Sequence, residues 1–405
     1  MTWVLRIVIG LVIIAAIGLG ALWWVSRPAD PGDFYETPDA LPREPGQVID
    51  SEDFDQAVPA GAEAHLIKYT TTVAGGAQRV ATATVLVPTA KADGPHPVLA
   101  WAHGTTGVVP GCAPSLLEHP WNGIPAVDAL VDAGYVVVAT DYVGLGTEGP
   151  HQYLVGDTAA RNVLDSIRAL HDYDEQDDIT NGAGLTDEAV VWGHSQGGQT
   201  TLFTGQAAAD YAPDVKIAGL GALSPPADLA ALLDAEQDTI VGKVLSSMAM
   251  KSWSEVYDDV DFDKIVRPAA RPAAKGIASR CLTEPGAYLT LVEGESLRAS
   301  IFAEDPSDVP ALVQHMDENS AKGVIPLPLF IGQGADDDVV DPKVTETYVD
   351  QLCDAGQDLD FYLLPGITHF TIVEKGSPVE EPLLRWTADR FAGEPVAKGC
   401  QRHDR

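Results

Sequence analysis

A chain of 405 residues in which 45% are hydrophobic can bury one large α/β core with an inserted subdomain, or two domains. Its 25 basic residues against 59 acidic ones leave a formal charge of −34, which repels phosphate backbones and argues against nucleic acid as a partner. The acids come in short scattered runs such as Asp174-Glu175-Gln176-Asp177-Asp178, the pattern of a solvated surface.

At the N-terminus, Arg6 precedes an apolar run from Ile7 to Val25 that reaches about 28 Å as a helix. Signal-peptide cores are shorter, roughly 7–15 residues. No Ala-x-Ala site follows, and Trp23-Trp24 lie where interfacial aromatics belong. Residues 1–27 therefore read as an uncleaved signal anchor in preference to a cleaved signal peptide, with the body outside the membrane. Residues 28–61, rich in Pro and Asp without periodicity, read as an extended tether and arm.

The first part of the core is expected over 62–224. It opens with a β-hairpin, Ala64 to Thr72 and Arg79 to Val87 around Gly75-Gly76. Strands then alternate with helices: Val98–Ala102, a helix over Ala126–Ala133, Tyr135–Ala139, an amphipathic helix over Asp157–Tyr173, Ala189–Trp192 and Ile217–Leu223. These strands are apolar throughout rather than alternating, which predicts a mostly parallel sheet with helices on both faces. The alternation stops over 225–325, a helix-rich stretch broken by prolines that reads as an inserted cap. Met248, Met250 and Trp253 within it read as packing rather than as a lid surface. Over 326–405 the core resumes with Leu327–Ile331, a helix over Val344–Leu352, Leu359–Leu364 and a last helix over Pro378–Phe391.

Between the Ala189–Trp192 strand and the next helix lies Gly193-His194-Ser195-Gln196-Gly197. A Gly-x-Ser-x-Gly turn in that context strains the serine backbone and holds its hydroxyl clear of the sheet, as an α/β-hydrolase nucleophile requires. Ser195 needs a base, and an imidazole can take its proton and return it. Of His315, His369 and His403, the histidines after Ser195, only His369 follows the last apolar strand; His315 falls in the cap and His403 in the tail. The orienting acid belongs on the turn after Leu327–Ile331, where Asp336, Asp337 and Asp338 are adjacent. A Gly-x-x-Asp-x-x-Val frame selects Asp337, leaving its neighbours solvated. The oxyanion donors expected are the N–H of Gln196 and that of Thr105, with Gly104 the alternative. His103 and His194 read as structural.

Four cysteines, Cys112, Cys281, Cys353 and Cys400, form no Cys-x-x-Cys pair, so no metal is expected. In an exported chain they suggest two disulfides with three possible pairings; four buried thiols are the alternative.

Five segments resemble the secretory lipase (LIP) family of α/β-hydrolases: Asp33-Phe34-Tyr35, Ala102 to Gly107, Asp141 to Leu154, the Ser195 turn, and the Asp337 and His369 turns. The stretch Asp141-Tyr142-Val143-Gly144-Leu145-Gly146 through His151-Gln152-Tyr153-Leu154 is the most specific of them. The resemblance implies an α/β-hydrolase fold with a helical cap, activity on acyl or lipid esters without a cofactor, and Ser195, Asp337 and His369 as the triad. It also implies the disulfides Cys112–Cys281 and Cys353–Cys400. The chain departs from the family at Val143, where an acid is common, and in its long N-terminal apolar run. The expected function is that of an exported or membrane-tethered serine ester hydrolase. The alternatives are an acyltransferase or peptidase using the same triad, and a non-catalytic binding module on the same fold.

Overall fold

The computed structural model describes residue 20, residues 26–282 and residues 286–404. The apolar run expected to anchor the chain lies outside the described residues except for Gly20. Among the described residues, no helix is long and apolar enough to cross a membrane.

A single sheet organises the molecule. Its strands are β1 Val48–Asp53, β2 Ala62–Thr72, β3 Gln78–Pro88, β4 His96–Ala102, β5 Val136–Thr140, β6 Leu185–His194, β7 Lys216–Leu223, β8 Leu329–Gly334, β9 Leu359–Leu364 and β10 Cys400–Asp404. They lie in the order β1-β2-β3-β5-β4-β6-β7-β8-β9-β10. The pairs from β1 to β5 are antiparallel and those from β5 to β10 parallel. The expected mostly parallel sheet is thus present, extended by an antiparallel hairpin on one side.

The apolar strands send successive side chains to opposite faces. On β4, Val98, Ala100 and Ala102 join one hydrophobic cluster while Leu99 and Trp101 join the other. On β6, Val191 and Trp192 divide in the same way. The first face is covered by helices Gly156–Asp177, Gln196–Tyr211 and Pro342–Asp354, through residues such as Val163, Leu202 and Val349. The second is covered by Val127–Asp132 and Glu380–Phe391, through Leu130 and Trp386.

Two strands fall where no strand is expected. β1 lies within the presumed tether, and β10 lies in the tail. They are the two outermost strands of the sheet.

Between β7 and β8 the described chain is mainly helical, with helices Leu229–Glu236, Ile240–Val256, Phe262–Ile265, Arg271–Ala278, Gly286–Ser296 and Pro310–Glu318. The long helix Ile240–Val256 starts where the Thr239 hydroxyl accepts from the Gly242 N–H. It buries Val244, Met248 and Trp253 in a hydrophobic cluster separate from both sheet faces. Cys112–Cys281 ties this insertion to the loop after β4, and Cys353–Cys400 ties the helix after β8 to β10.

Candidate active site

β6 ends at His194 and the next helix starts at Gln196, so Ser195 alone makes the turn, with φ 55° and ψ −122°. Two close approaches force glycine on either side. A Cβ on Gly193 would stand 2.1 Å from the Gly197 carbonyl oxygen, and one on Gly197 would stand 1.8 Å from that of Ala102. The helix is therefore pressed against both β6 and the end of β4, and the strain falls on Ser195.

His369 lies past the end of β9, and Asp337 past the end of β8. Those strands are neighbours in the sheet, which brings the two side chains together. His369 Nδ1 donates to Asp337 Oδ2 at 2.9 Å, and both residues are buried. That bond leaves the imidazole Nε2 free to accept a proton. The other Asp337 oxygen accepts the backbone N–H groups of Val339 and Val340, at 2.9 and 2.8 Å. Burial pushes the Asp337 carboxyl up, but His369 and these two donors outweigh it and hold it below the ordinary carboxylate range. Asp336 and Asp338 are exposed. Ser195 and His369 line one cavity, together with Gly104, Thr105 and Val339.

Gln196 is buried at the start of its helix, where the first backbone N–H groups have no partner within the helix. Gly104 lies against the nucleophile; a Cβ there would come within 3.6 Å of the Ser195 Cβ. The Thr105 hydroxyl hydrogen-bonds the Tyr153 hydroxyl at 2.9 Å. His194 donates from Nε2 to the His369 carbonyl at 2.8 Å, and its ring lies 4.6 Å from that of His369. Burial lowers its pKa to about 3, with the His369 charge adding to the effect, so it holds the His369 loop as a neutral group. Burial likewise lowers His103 to about 4. His315 is stacked on Tyr257 in the helical insertion and His403 is stacked on Tyr362, and neither lines a cavity that Ser195 lines.

Two supporting groups escape a reading by motif. Gln333, buried at the end of β8, donates to Asp337 Oδ2 at 3.0 Å and accepts from the Thr345 hydroxyl at 2.8 Å. A glutamine continuing an apolar strand was the available signal. Asp141, fully buried after β5, accepts from the Ser115 N–H and hydroxyl and from the Thr82 hydroxyl. Ser115 also bonds the Tyr35 hydroxyl at 2.7 Å. Tyr35 and Asp141, from two of the segments that carry the resemblance, are thus joined through Ser115. Among the described residues, no group of three or more His, Cys, Asp or Glu side chains is arranged to hold a metal.

The secretory lipase family profile matches residues 124–399, more than half of the chain. A protein of Mycobacterium tuberculosis named as a probable inactive lipase is 23% identical, over 91% of this chain and 84% of its own. Lipase 1 of Candida albicans is 28% identical, over 73% of this chain and 65% of its own. Among solved structures, Candida antarctica lipase A in its closed state superposes with a TM-score of 0.71 at 22% identity, covering 92% of this chain and 89% of that one. The esterase LipA of Xanthomonas oryzae, which degrades rice cell wall, gives 0.69 at 18%, covering 87% and 100%. The fold is that of the α/β-hydrolases, and the chain belongs to the secretory lipase family.

Proposed function

We propose that the protein is an exported serine ester hydrolase that cleaves acyl esters through an acyl-enzyme on Ser195. The observation that carries this reading is the buried His369–Asp337 pair, bonded at 2.9 Å and sharing a cavity with a serine held in a strained turn. His369 takes the Ser195 proton as the hydroxyl attacks the ester carbonyl, then delivers it to the leaving alcohol. Asp337 fixes the imidazole with Nε2 toward the reaction and offsets the charge it acquires. The oxyanion is held by the N–H groups of Gln196 and Thr105, with Gly104 giving the backbone room to approach. Water, activated by the same imidazole, then releases the acid.

Family membership supports ester hydrolysis but does not fix turnover, since one relative is named as inactive. The two disulfides support an oxidising compartment. In this reading the apolar run of residues 7–25 carries the chain across the membrane as an anchor or a signal, and 225–325 acts as a cap over the site.

The test is hydrolysis of p-nitrophenyl butyrate by the wild type and by Ser195→Ala. A loss of roughly 10⁵-fold or more in kcat is expected. Equal rates would reject the proposal.

A further inference from the structure

The proposed oxyanion donors are the N–H groups of Gln196 and Thr105, which stand on separate pieces of chain. Gln196 opens the helix after β6, and Thr105 lies in the loop after β4. Two donors can serve one oxygen only if the spacing between them is fixed. Each residue is tied through its side chain to the same short segment, His151-Gln152-Tyr153. The Gln196 amide donates from Nε2 to His151 Nε2 at 3.1 Å, and the Thr105 hydroxyl bonds the Tyr153 hydroxyl at 2.9 Å.

The far side of the His151 ring sets the direction of the first bond. Nδ1 faces the Val143 carbonyl at 3.1 Å, a group that can only accept. The proton therefore sits on Nδ1, and Nε2 is left as the acceptor that the Gln196 amide needs. Burial keeps the ring neutral, lowering it to about 3.

The segment itself has little freedom. Ser252, on the long helix Ile240–Val256, donates from its hydroxyl to the His151 carbonyl at 2.6 Å and accepts the Tyr153 N–H at 3.0 Å. The Trp253 indole N–H donates to the Tyr153 carbonyl at 2.9 Å. His151, Tyr153, Ser252 and Trp253 are all buried. A Cβ on Gly144 would stand 2.3 Å from the His151 nitrogen, so the preceding turn is pressed against the segment as well. Leu154 leaves it at φ 57°, a strained conformation for a leucine that only fixed surroundings maintain. We infer that His151 and Tyr153 are positioning residues for the oxyanion hole, setting the spacing of the Gln196 and Thr105 N–H groups through these two side-chain bonds. This deepens the ester-hydrolase reading and rests on it. The donors matter most once charge has gathered on the carbonyl oxygen, so loosening them is felt in kcat rather than in KM.

The test uses Tyr153→Phe and Thr105→Val, which remove one hydroxyl each and keep the Thr105 N–H. With p-nitrophenyl butyrate, each should lower kcat about tenfold at unchanged KM, and the double variant should be no worse than either alone. His151→Phe, which removes the acceptor for Gln196, should lower kcat by about the same factor; should it fail to fold, Gln196→Leu breaks the same bond from the other side. An alkyl trifluoromethyl ketone, to which Ser195 adds to give a hemiketal oxyanion, should lose affinity in each variant in proportion to kcat. A merely structural role would lower the urea midpoint and leave kcat and ketone affinity unchanged in the folded variants. That result, or a double variant whose loss is the product of the two single losses, overturns the assignment. Should the wild type turn over no ester and bind no ketone, the ester-hydrolase reading fails, and the two ties are read without chemistry. Relaxation-dispersion NMR should then show new exchange broadening at the Thr105 amide in Tyr153→Phe and at the Gln196 amide in His151→Phe. No change at either amide refutes the positioning role.

Discussion

Ser195 owes its position to its neighbours more than to itself. With 1.8 Å between a Gly197 Cβ and the Ala102 oxygen, Gly197→Ala cannot be absorbed by a side-chain rotation. It is expected to cost about 3 kcal/mol or more in urea unfolding, with activity lost in step. Asp337 plays a different part. Asp337→Asn keeps the shape but offers the imidazole an amide where it needs an acceptor, so kcat should fall about 10²–10⁴-fold with KM little changed. Steady-state kinetics at pH 8 would read this directly, and a KM effect alone would point to substrate binding instead. At this scale the order Ser, Asp, His was legible because each residue follows an apolar strand. The choice of Asp337 among three acids came from the flanking Gly334 and Val340, and Val340 proves to be one of the donors to its carboxylate. Gln333 and Asp141 were not legible as supports, because their partners Thr345, Ser115, Thr82 and Tyr35 are brought to them only by the fold.

The elements that sequence pattern reveals are the central ones. Strands β4 to β9 each carry a mainly apolar, buried stretch, which in β6 and β7 is the C-terminal part, so composition marks them. The sheet's two outer strands carry no such mark. β1 reads Val-Ile-Asp-Ser-Glu-Asp and β10 reads Cys-Gln-Arg-His-Asp, polar sequences that suit an open edge and discourage pairing with another chain. β10 is held instead by specific contacts, through the Cys353–Cys400 bridge and through His403 stacked 4.2 Å from Tyr362. The other bridge, Cys112–Cys281, spans 169 residues and fixes the insertion beside the loop that bears Gly104 and Thr105. Replacing both of its cysteines by serine should lower stability by about 2–4 kcal/mol in denaturant titration. The Leu282 N–H donates to the Thr106 carbonyl at 2.8 Å beside that bridge, so kcat should fall as well. Unchanged kcat in the folded variant would mean that the bridge serves stability alone.

Across the whole molecule, burial of imidazoles sets the response to acid. His103, His151 and His194 are pushed down to about 4, 3 and 3 by burial, and His171 moves the same way. Such groups stabilise the fold above the unfolded histidine value near 6.5, and that contribution is lost as pH falls toward their folded values. Asp141 opposes them: burial raises it to about 6, so its contribution is present below about pH 4 and lost as pH rises through 6. Asp165 is raised by burial in the same sense. Three imidazoles held well below their ordinary value against one carboxyl raised to about 6 make unfolding take up protons as pH falls from 6.5. The denaturation midpoint should therefore drop steadily from pH 6.5 to 4.5; a flat profile would contradict the neutral state of these buried rings.

The nucleophilic role of Ser195 is tested most directly by trapping the acyl-enzyme. Acid quenching during turnover of p-nitrophenyl butyrate, followed by intact mass and peptide mapping, should find one butyryl group per chain, on the peptide containing Ser195. The adduct should be absent in Ser195→Ala and form far more slowly in His369→Ala. A butyryl group on any other residue, or turnover with no adduct under rapid quench, would contradict the account.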